Sequence, residues 1–214
     1  MKTVIAVNGS PRKNGNTATL LYKALKGAES EGAVTEMVHL YDLNYKGCIS
    51  CFACKRKDRK YEGKCAVKDG LSPLLEKAME SHALILGSPV YLSDITGEMR
   101  SFIERLIFMN LSYENKQSTF AGRIHMAFIY TMNVSAEIMK QMQYDDIFRS
   151  HSTYANFLGG KSSYMTSNDT YQFDDYGLYA AGAFDEDHKA KVREEQFPID
   201  CENAYELGKI VMRP

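Results

Sequence analysis

The sequence predicts an α/β chain, a three-layer sandwich whose middle layer is a five-stranded parallel sheet. Short apolar runs alternate with helix-periodic segments about five times along the chain, and right-handed βαβ units of that kind build a parallel sheet with helices on both faces. The first and third runs are apolar throughout rather than alternating in polarity, as strands covered on both faces are. No internal repeat or linker divides the 214 residues, and a domain takes roughly 150 residues. Residues 1–214 are therefore read as one domain.

The elements follow in order. Residues 3–7 are a β-branched strand that ends in Asn8-Gly9-Ser10-Pro11. Over residues 17–31, Leu20, Leu21, Ala24, Leu25 and Ala28 recur at helical spacing, with Gly32 just past the end. Residues 34–40 are a second strand. Residues 44–68 break the rhythm as an insertion that holds four of the five cysteines and a basic run at 55–60. Asp69 is expected to cap a helix through Leu74, Leu75, Ala78 and Met79. Residues 83–86 are a third strand, leaving into a Gly87-Ser88-Pro89 loop. Thr96 or Gly97 opens a helix carrying Met99, Phe102, Ile103, Leu106 and Ile107. Residues 124–131 are a fourth strand, 137–148 a helix and 159–165 a Gly- and Ser-rich fifth strand. Residues 169–184 are irregular and rich in tyrosine. Asp200 is expected to cap a last helix through Ala204, Leu207, Ile210 and Val211.

Composition narrows the function. Lys plus Arg total 26 against 27 for Asp plus Glu, a net charge of −1, whereas a dedicated nucleic-acid binder carries a large basic excess. With 44% hydrophobic and 25% charged residues, the chain is an ordinary globular one rather than a disordered one. No run approaches the roughly 18 apolar residues of a membrane span, and the apolar run at 4–7 is too short for a signal peptide. A cytoplasmic location is expected, where cysteines serve as metal ligands, redox thiols or buried thiols more often than as disulfides.

Three loops fall at carboxyl ends of predicted strands, where open parallel sheets bind ligands. The first, Asn8-Gly9-Ser10-Pro11-Arg12-Lys13-Asn14-Gly15-Asn16-Thr17, runs into a helix. It offers hydroxyls, side-chain amides, two cations and two glycines, and no carboxylate. A helix N-terminus adds free N–H groups and the positive end of the dipole, which together make an anion site. The loop matches neither the Walker A spacing nor the dinucleotide fingerprint. The second, residues 87–99, brings Pro89, Val90, Tyr91 and Leu92 to the same edge, a wall suited to a flat aromatic ligand. Together the two loops favour a phosphate-bearing aromatic ligand.

These loops, with the Cys48-x-x-Cys51-x-x-Cys54 run and Thr96-Gly97-Glu98-Met99, resemble the NAD(P)H-dependent FMN reductase and iron–sulfur flavoprotein group of the flavodoxin-like superfamily. The resemblance is detailed in the first half of the chain and general in the rest. It implies a flavodoxin-like sandwich and an FMN-binding oxidoreductase. It implies that Ser10, Arg12, Asn16 and Thr17, with Asn14 among the loop amides, hold the FMN phosphate. It implies that Pro89, Val90, Tyr91 and Leu92 line the ring, and that Thr131, Met132 and Asn133 touch it. Electrons would come from NAD(P)H or a reduced carrier and pass to a quinone, a flavin, another small acceptor or an iron–sulfur centre, in a homodimer or homotetramer. No catalytic acid or base is nominated, because the flavin carries the chemistry. An electron-transfer flavoprotein serving a redox protein partner, and a Cys-rich metal module without flavin, are the alternatives.

Cys48, Cys51, Cys54 and Cys65 are the candidate metal ligands. Thiolates at three-residue spacing wrap iron–sulfur clusters, so a [4Fe-4S] cluster is one reading. A four-cysteine zinc site is another, and unligated thiols are the third. In iron–sulfur flavoproteins the fourth cysteine follows more closely than Cys65 does here. The neighbouring cations Lys55, Arg56, Lys57, Arg59 and Lys60 are expected to lower the thiol pKa values. No cysteine is followed by a C-x5-R phosphatase loop. Five scattered histidines lack metal spacing, and the basic run reads as a solvated loop. The aromatic segment at 170–176 reads as packing against a sheet edge or subunit, ahead of a cap over a neighbouring subunit's site.

Overall fold

The computed structural model describes residues 1–213. Five parallel strands lie in the order β2-β1-β3-β5-β6: β1 (Thr3–Asn8), β2 (Val34–His39), β3 (Ala83–Tyr91), β5 (Ile124–Thr131) and β6 (Gly159–Ser167). This is the flavodoxin-like order, whose switch point lies between β1 and β3. A sixth, two-residue strand, β4 (Asp94–Ile95), pairs antiparallel with the end of β3. The five-stranded parallel sheet expected from the sequence is thus present, with a short hairpin added.

Helices cover both faces. On one, α1 (Asn16–Ser30) and α6 (Glu186–Ile210) pack with Val4, Ala6, Ile85 and Ile129. On the other, α2 (Ser72–Glu80), α3 (Gly97–Asn110), α4 (Ala136–Gln141) and α5 (Tyr144–Ser152) cover Ile5, Val7, Leu84 and Phe128. Alternate residues of β1 therefore feed opposite cores, which is why its run is apolar throughout. No helix among the described residues is long and apolar enough to cross a membrane.

Several boundaries depart from the sequence reading. The third strand continues past Leu86, because β5 still offers partners as far as Thr131, opposite Pro89. Residues 87–91 are thus strand, and the true turn is Leu92-Ser93, with φ of 50° and 71°. The fifth strand likewise extends two residues, to Ser167. The helix expected over 137–148 is two, broken where Gln143 adopts a φ of 56°. Asp69 does not cap α2, whose N-cap is Leu71. It bonds the Leu71 amide and pairs with buried Arg105 instead. Asp200 does not cap the last helix, which starts fourteen residues earlier behind an Asp185 cap and runs through Pro198. Pro198 is exposed; an interior proline removes one intrahelical bond and crowds the carbonyl four residues back, and α6 continues through it. Asp200 is buried within α6 and accepts from Ser167 Oγ at 2.5 Å.

Candidate functional site

A cavity of about 800 Å³ opens at the carboxyl ends of β1, β3 and β5, within the 300–1,000 Å³ range of small-molecule sites. One end is the loop after β1. Asn8 is buried and organises it: its Oδ1 accepts from the Ser10 amide at 2.9 Å, and Ser10 Oγ accepts from the Arg12 amide at 3.1 Å. These side-chain-closed turns deliver the chain to α1. Gly15, the N-cap, makes no side-chain cap bond, and no acidic residue stands in the first turn. The helix end therefore keeps its attraction for an anion.

The second loop is stitched to the first. Thr96, 2% exposed, caps α3 by accepting from the Met99 amide and donates its hydroxyl to Gly9 O at 2.7 Å. A Cβ on Gly9 would stand 2.9 Å from Met99 Cβ, so glycine permits the close approach. Thr17 Oγ1 and Thr131 Oγ1, both buried, share a 2.8 Å bond that ties α1 to β5. Asn133, on the cavity wall, contributes a buried Oδ1 that has no hydrogen-bond partner among the described residues.

The cavity wall contains Ser10, Arg12, Asn14, Asn16, Thr17, Pro89, Val90, Tyr91, Thr131, Met132 and Asn133. Three sequence-distant loops thus converge as expected. Leu92 does not join them. At the hairpin tip its left-handed backbone turns the side chain out, fully exposed.

The roof is the aromatic segment: Thr170, Tyr171, Gln172, Phe173, Asp174 and Tyr179 line the cavity of their own chain. Arg12 Nη1 donates to Gln172 O at 2.5 Å, and Asn16 Nδ2 to Tyr171 O at 2.9 Å. Phe173 stacks on Tyr179 with centroids 4.2 Å apart. At the root of the roof, Asp169 (φ 54°) pairs with His188 at 2.5 Å and with Lys189. Burial opposes its charge, but those two partners outweigh burial and hold its carboxyl below the usual range. Arg193 of α6 also reaches the cavity. Sequence reasoning missed it, since no local pattern marks a contact 177 residues from Asn16.

The four cysteines line one small apolar hollow with Phe52, Val67, Phe108 and Met109. All four are free thiols. Among the described residues, no three His, Cys, Asp or Glu side chains gather as a single metal ion requires. Burial pushes the Cys54 thiol up despite Lys55, which corrects the expectation that the basic run lowers it. Lys55 itself is half-buried: its ammonium sits 4.6 Å over the Phe108 ring and bonds Phe108 O. Arg105, 2% exposed, also lines the hollow. Its guanidinium bonds Asp69 at 2.5 Å and the carbonyls of Lys46 and Val67, and it also interacts with the Cys65 thiol; among the described residues its Nε is buried with no hydrogen-bond partner of normal geometry.

Residues 2–160 match the sequence family described as NADPH-dependent FMN reductase. An iron-sulfur flavoprotein of Methanocaldococcus jannaschii is 38% identical over 102 residues, 48% of this chain and 50% of the relative. One from Archaeoglobus fulgidus is 37% identical over 103 residues, 48% of this chain and 44% of the relative. The match thus spans about half the length of these curated relatives. An NAD(P)H:quinone oxidoreductase from Methanothermobacter marburgensis superposes with a TM-score of 0.71 at 14% identity, covering 97% of this chain and 98% of that one. An FMN-dependent NADH-azoreductase from Bacillus anthracis, solved with FMN, superposes at 0.62 and 11% identity, covering 97% and 100%. At such identities these two structures speak for the fold alone.

Proposed function

The chain belongs to the NADPH-dependent FMN reductase family, and from that premise we propose that it is an FMN-binding oxidoreductase that takes electrons from NAD(P)H. The observation that carries this is the two-ended cavity. Its one end offers cations, hydroxyls and an uncapped helix start, and its other end Val90 and Tyr91. In this reading Ser10, Arg12, Asn14, Asn16 and Thr17 hold the phosphate. Pro89, Val90 and Tyr91 flank the ring, and Thr131 and Asn133 lie along it. The unpartnered Asn133 Oδ1 suits a flavin, whose ring edge carries a donor as well as acceptors.

Bound FMN supplies the electron-carrying chemistry, and the protein supplies position and field. Arg12 and the start of α1 neutralise the phosphate. The Thr17–Thr131 bond fixes the floor between phosphate and ring. Tyr171, Phe173 and Tyr179 screen the cavity from water on the roof side. The acceptor is a small molecule, a quinone or a flavin, or an iron–sulfur centre, and the working unit is a cytoplasmic homodimer or homotetramer of this one-domain chain. An Ser10→Ala/Arg12→Ala double variant is expected to lose its FMN on gel filtration. Retention at the wild-type level would remove the basis for the phosphate assignment.

We further propose that Cys48, Cys51, Cys54 and Cys65 hold an iron–sulfur cluster of the [4Fe-4S] class, within an insertion at residues 44–68. Four soft donors line one apolar hollow, and the orphaned Arg105 Nε is a buried donor suited to an anionic, sulfur-ligated group. Thiols spread around a hollow suit a cluster, with its own width, better than one zinc ion at about 2.3 Å from each sulfur. Iron and acid-labile sulfide, measured per chain after oxygen-free purification, test this. Both should fall together in Cys65→Ser; iron and sulfide at wild-type levels in that variant would exclude Cys65 as a ligand.

A further inference from the structure

Arg193 lies in α6, beyond the residues 2–160 that match the family, yet its side chain lines the phosphate end of the cavity. It is held at two points. Its guanidinium carbon sits 4.1 Å over the buried Phe197 ring, and Nη1 donates to Asn16 Oδ1 at 2.9 Å. That acceptor role turns the Asn16 amide so that Nδ2 faces the roof carbonyl of Tyr171. Among the described residues one of its five guanidinium N–H groups is thus used, on Asn16.

The charges at this end decide what Arg193 is for. Lys13 is paired with Asp42 at 2.7 Å. Among the described residues, neither Arg12 nor Arg193 has a carboxylate within ion-pair distance. A phosphate monoester carries about −1.5 to −2 at neutral pH; Arg12 supplies one positive charge and the start of α1 about half of another, which leaves up to about half a charge unbalanced, and the Asp174 carboxylate in the same cavity adds to that deficit. A second guanidinium, fixed in place beforehand and without a counter-ion, completes the balance. We propose that Arg193 is a phosphate-contacting residue of the cofactor site, supplied by the C-terminal helix and positioned by Phe197 and Asn16. This inference rests on the FMN reading above.

The test compares FMN with riboflavin, which lacks only the phosphate, by titration against wild type, Arg193→Gln and Arg193→Lys. A charge-assisted hydrogen bond of this type corresponds to about tenfold to a hundredfold in affinity. Arg193→Gln should weaken FMN by that factor and leave riboflavin unchanged, with Arg193→Lys in between. The ³¹P resonance of bound FMN should also differ between wild type and Arg193→Gln. Unchanged FMN affinity with an unmoved resonance would overturn the proposal. So would an equal loss for both flavins, which would make Arg193 a support for the roof. A wild-type protein that binds neither flavin would overturn the FMN reading itself, whereas one that binds FMN through an unaffected Arg193→Gln variant would overturn only this step.

Discussion

Replacing Gly208 by alanine adds one methyl group to α6 where that helix crosses α1 backbone to backbone. An added Cβ would stand 1.8 Å from the carbonyl oxygen of Ala24, and on the reciprocal side a Cβ on Gly27 would stand 1.9 Å from that of Tyr205. Carbon and carbonyl oxygen ordinarily stay about 3.3 Å or more apart, so the helices must separate by about 1.5 Å. The obstacle is main chain, which cannot rotate aside. Such overpacking costs about 1–3 kcal/mol, and this site belongs at the upper end. Intrinsic helix propensity acts oppositely and favours alanine by about 1 kcal/mol. The net expectation is a loss of about 2 kcal/mol, or about 4–8 °C in Tm for a chain of this size. Thermal and urea unfolding followed by circular dichroism measure it. Gly97→Ala is the control, since a Cβ there meets nothing within 4 Å; it should be neutral or stabilising. Gly27→Ala/Gly208→Ala should lose less than the sum of the singles, because one displacement relieves both clashes. A Tm equal to or above wild type in Gly208→Ala would refute the contact argument and leave propensity in charge.

Three other predictions concern the site's supports. Asp69→Asn leaves the Arg105 charge buried without its counter-ion and should cost about 3 kcal/mol at pH 7 by urea unfolding. Burial opposes charge on Asp69, but Arg105 and the Leu71 amide outweigh it, so its folded pKa lies below the ordinary value. Its contribution is therefore complete above the unfolded pKa of about 3.9 and is lost as pH falls through the lower folded value, so wild type and variant should converge in acid. Thr96→Val removes both the α3 cap and the bond to Gly9 O; it should cost about 1–2 kcal/mol and weaken FMN binding together with stability. The buried His151 has its pKa pushed down by burial, with Asp94 only partly offsetting this. Its folded pKa lies below the unfolded one, so the unfolded chain takes up the proton first and a His151→Asn variant should lose less stability than wild type as pH falls below about 6.5.

What consecutive residues encode on their own is legible in this sequence. The runs in β1 and β3 are apolar because both faces are covered, and the loop after β1 carries its chemistry in ten consecutive residues. What failed to show depends on partners far along the chain. Pro89 looks like a strand end until β5 is seen to offer Thr131 beside it. The first half of α6 is mostly charged and has no apolar stripe, so Asp200 reads as a cap at a point where the helix is already under way. Asp69 has the look of a helix cap, but its partner Arg105 lies 36 residues on. The aromatic segment near 170 was visibly unusual, yet only the bonds from Arg12 and Asn16 place it over its own cavity. Leu92 belonged by sequence to the wall and by backbone conformation to the hairpin tip.

The visible absorption spectrum of protein purified without oxygen, recorded before and after acid release of any cofactor, decides whether the chain carries FMN. Flavin bands that pass into the acid supernatant as FMN are expected, above a broad absorbance that bleaches with reductant and belongs to the cysteine hollow. A colourless protein that also takes up no added FMN would contradict the FMN reading.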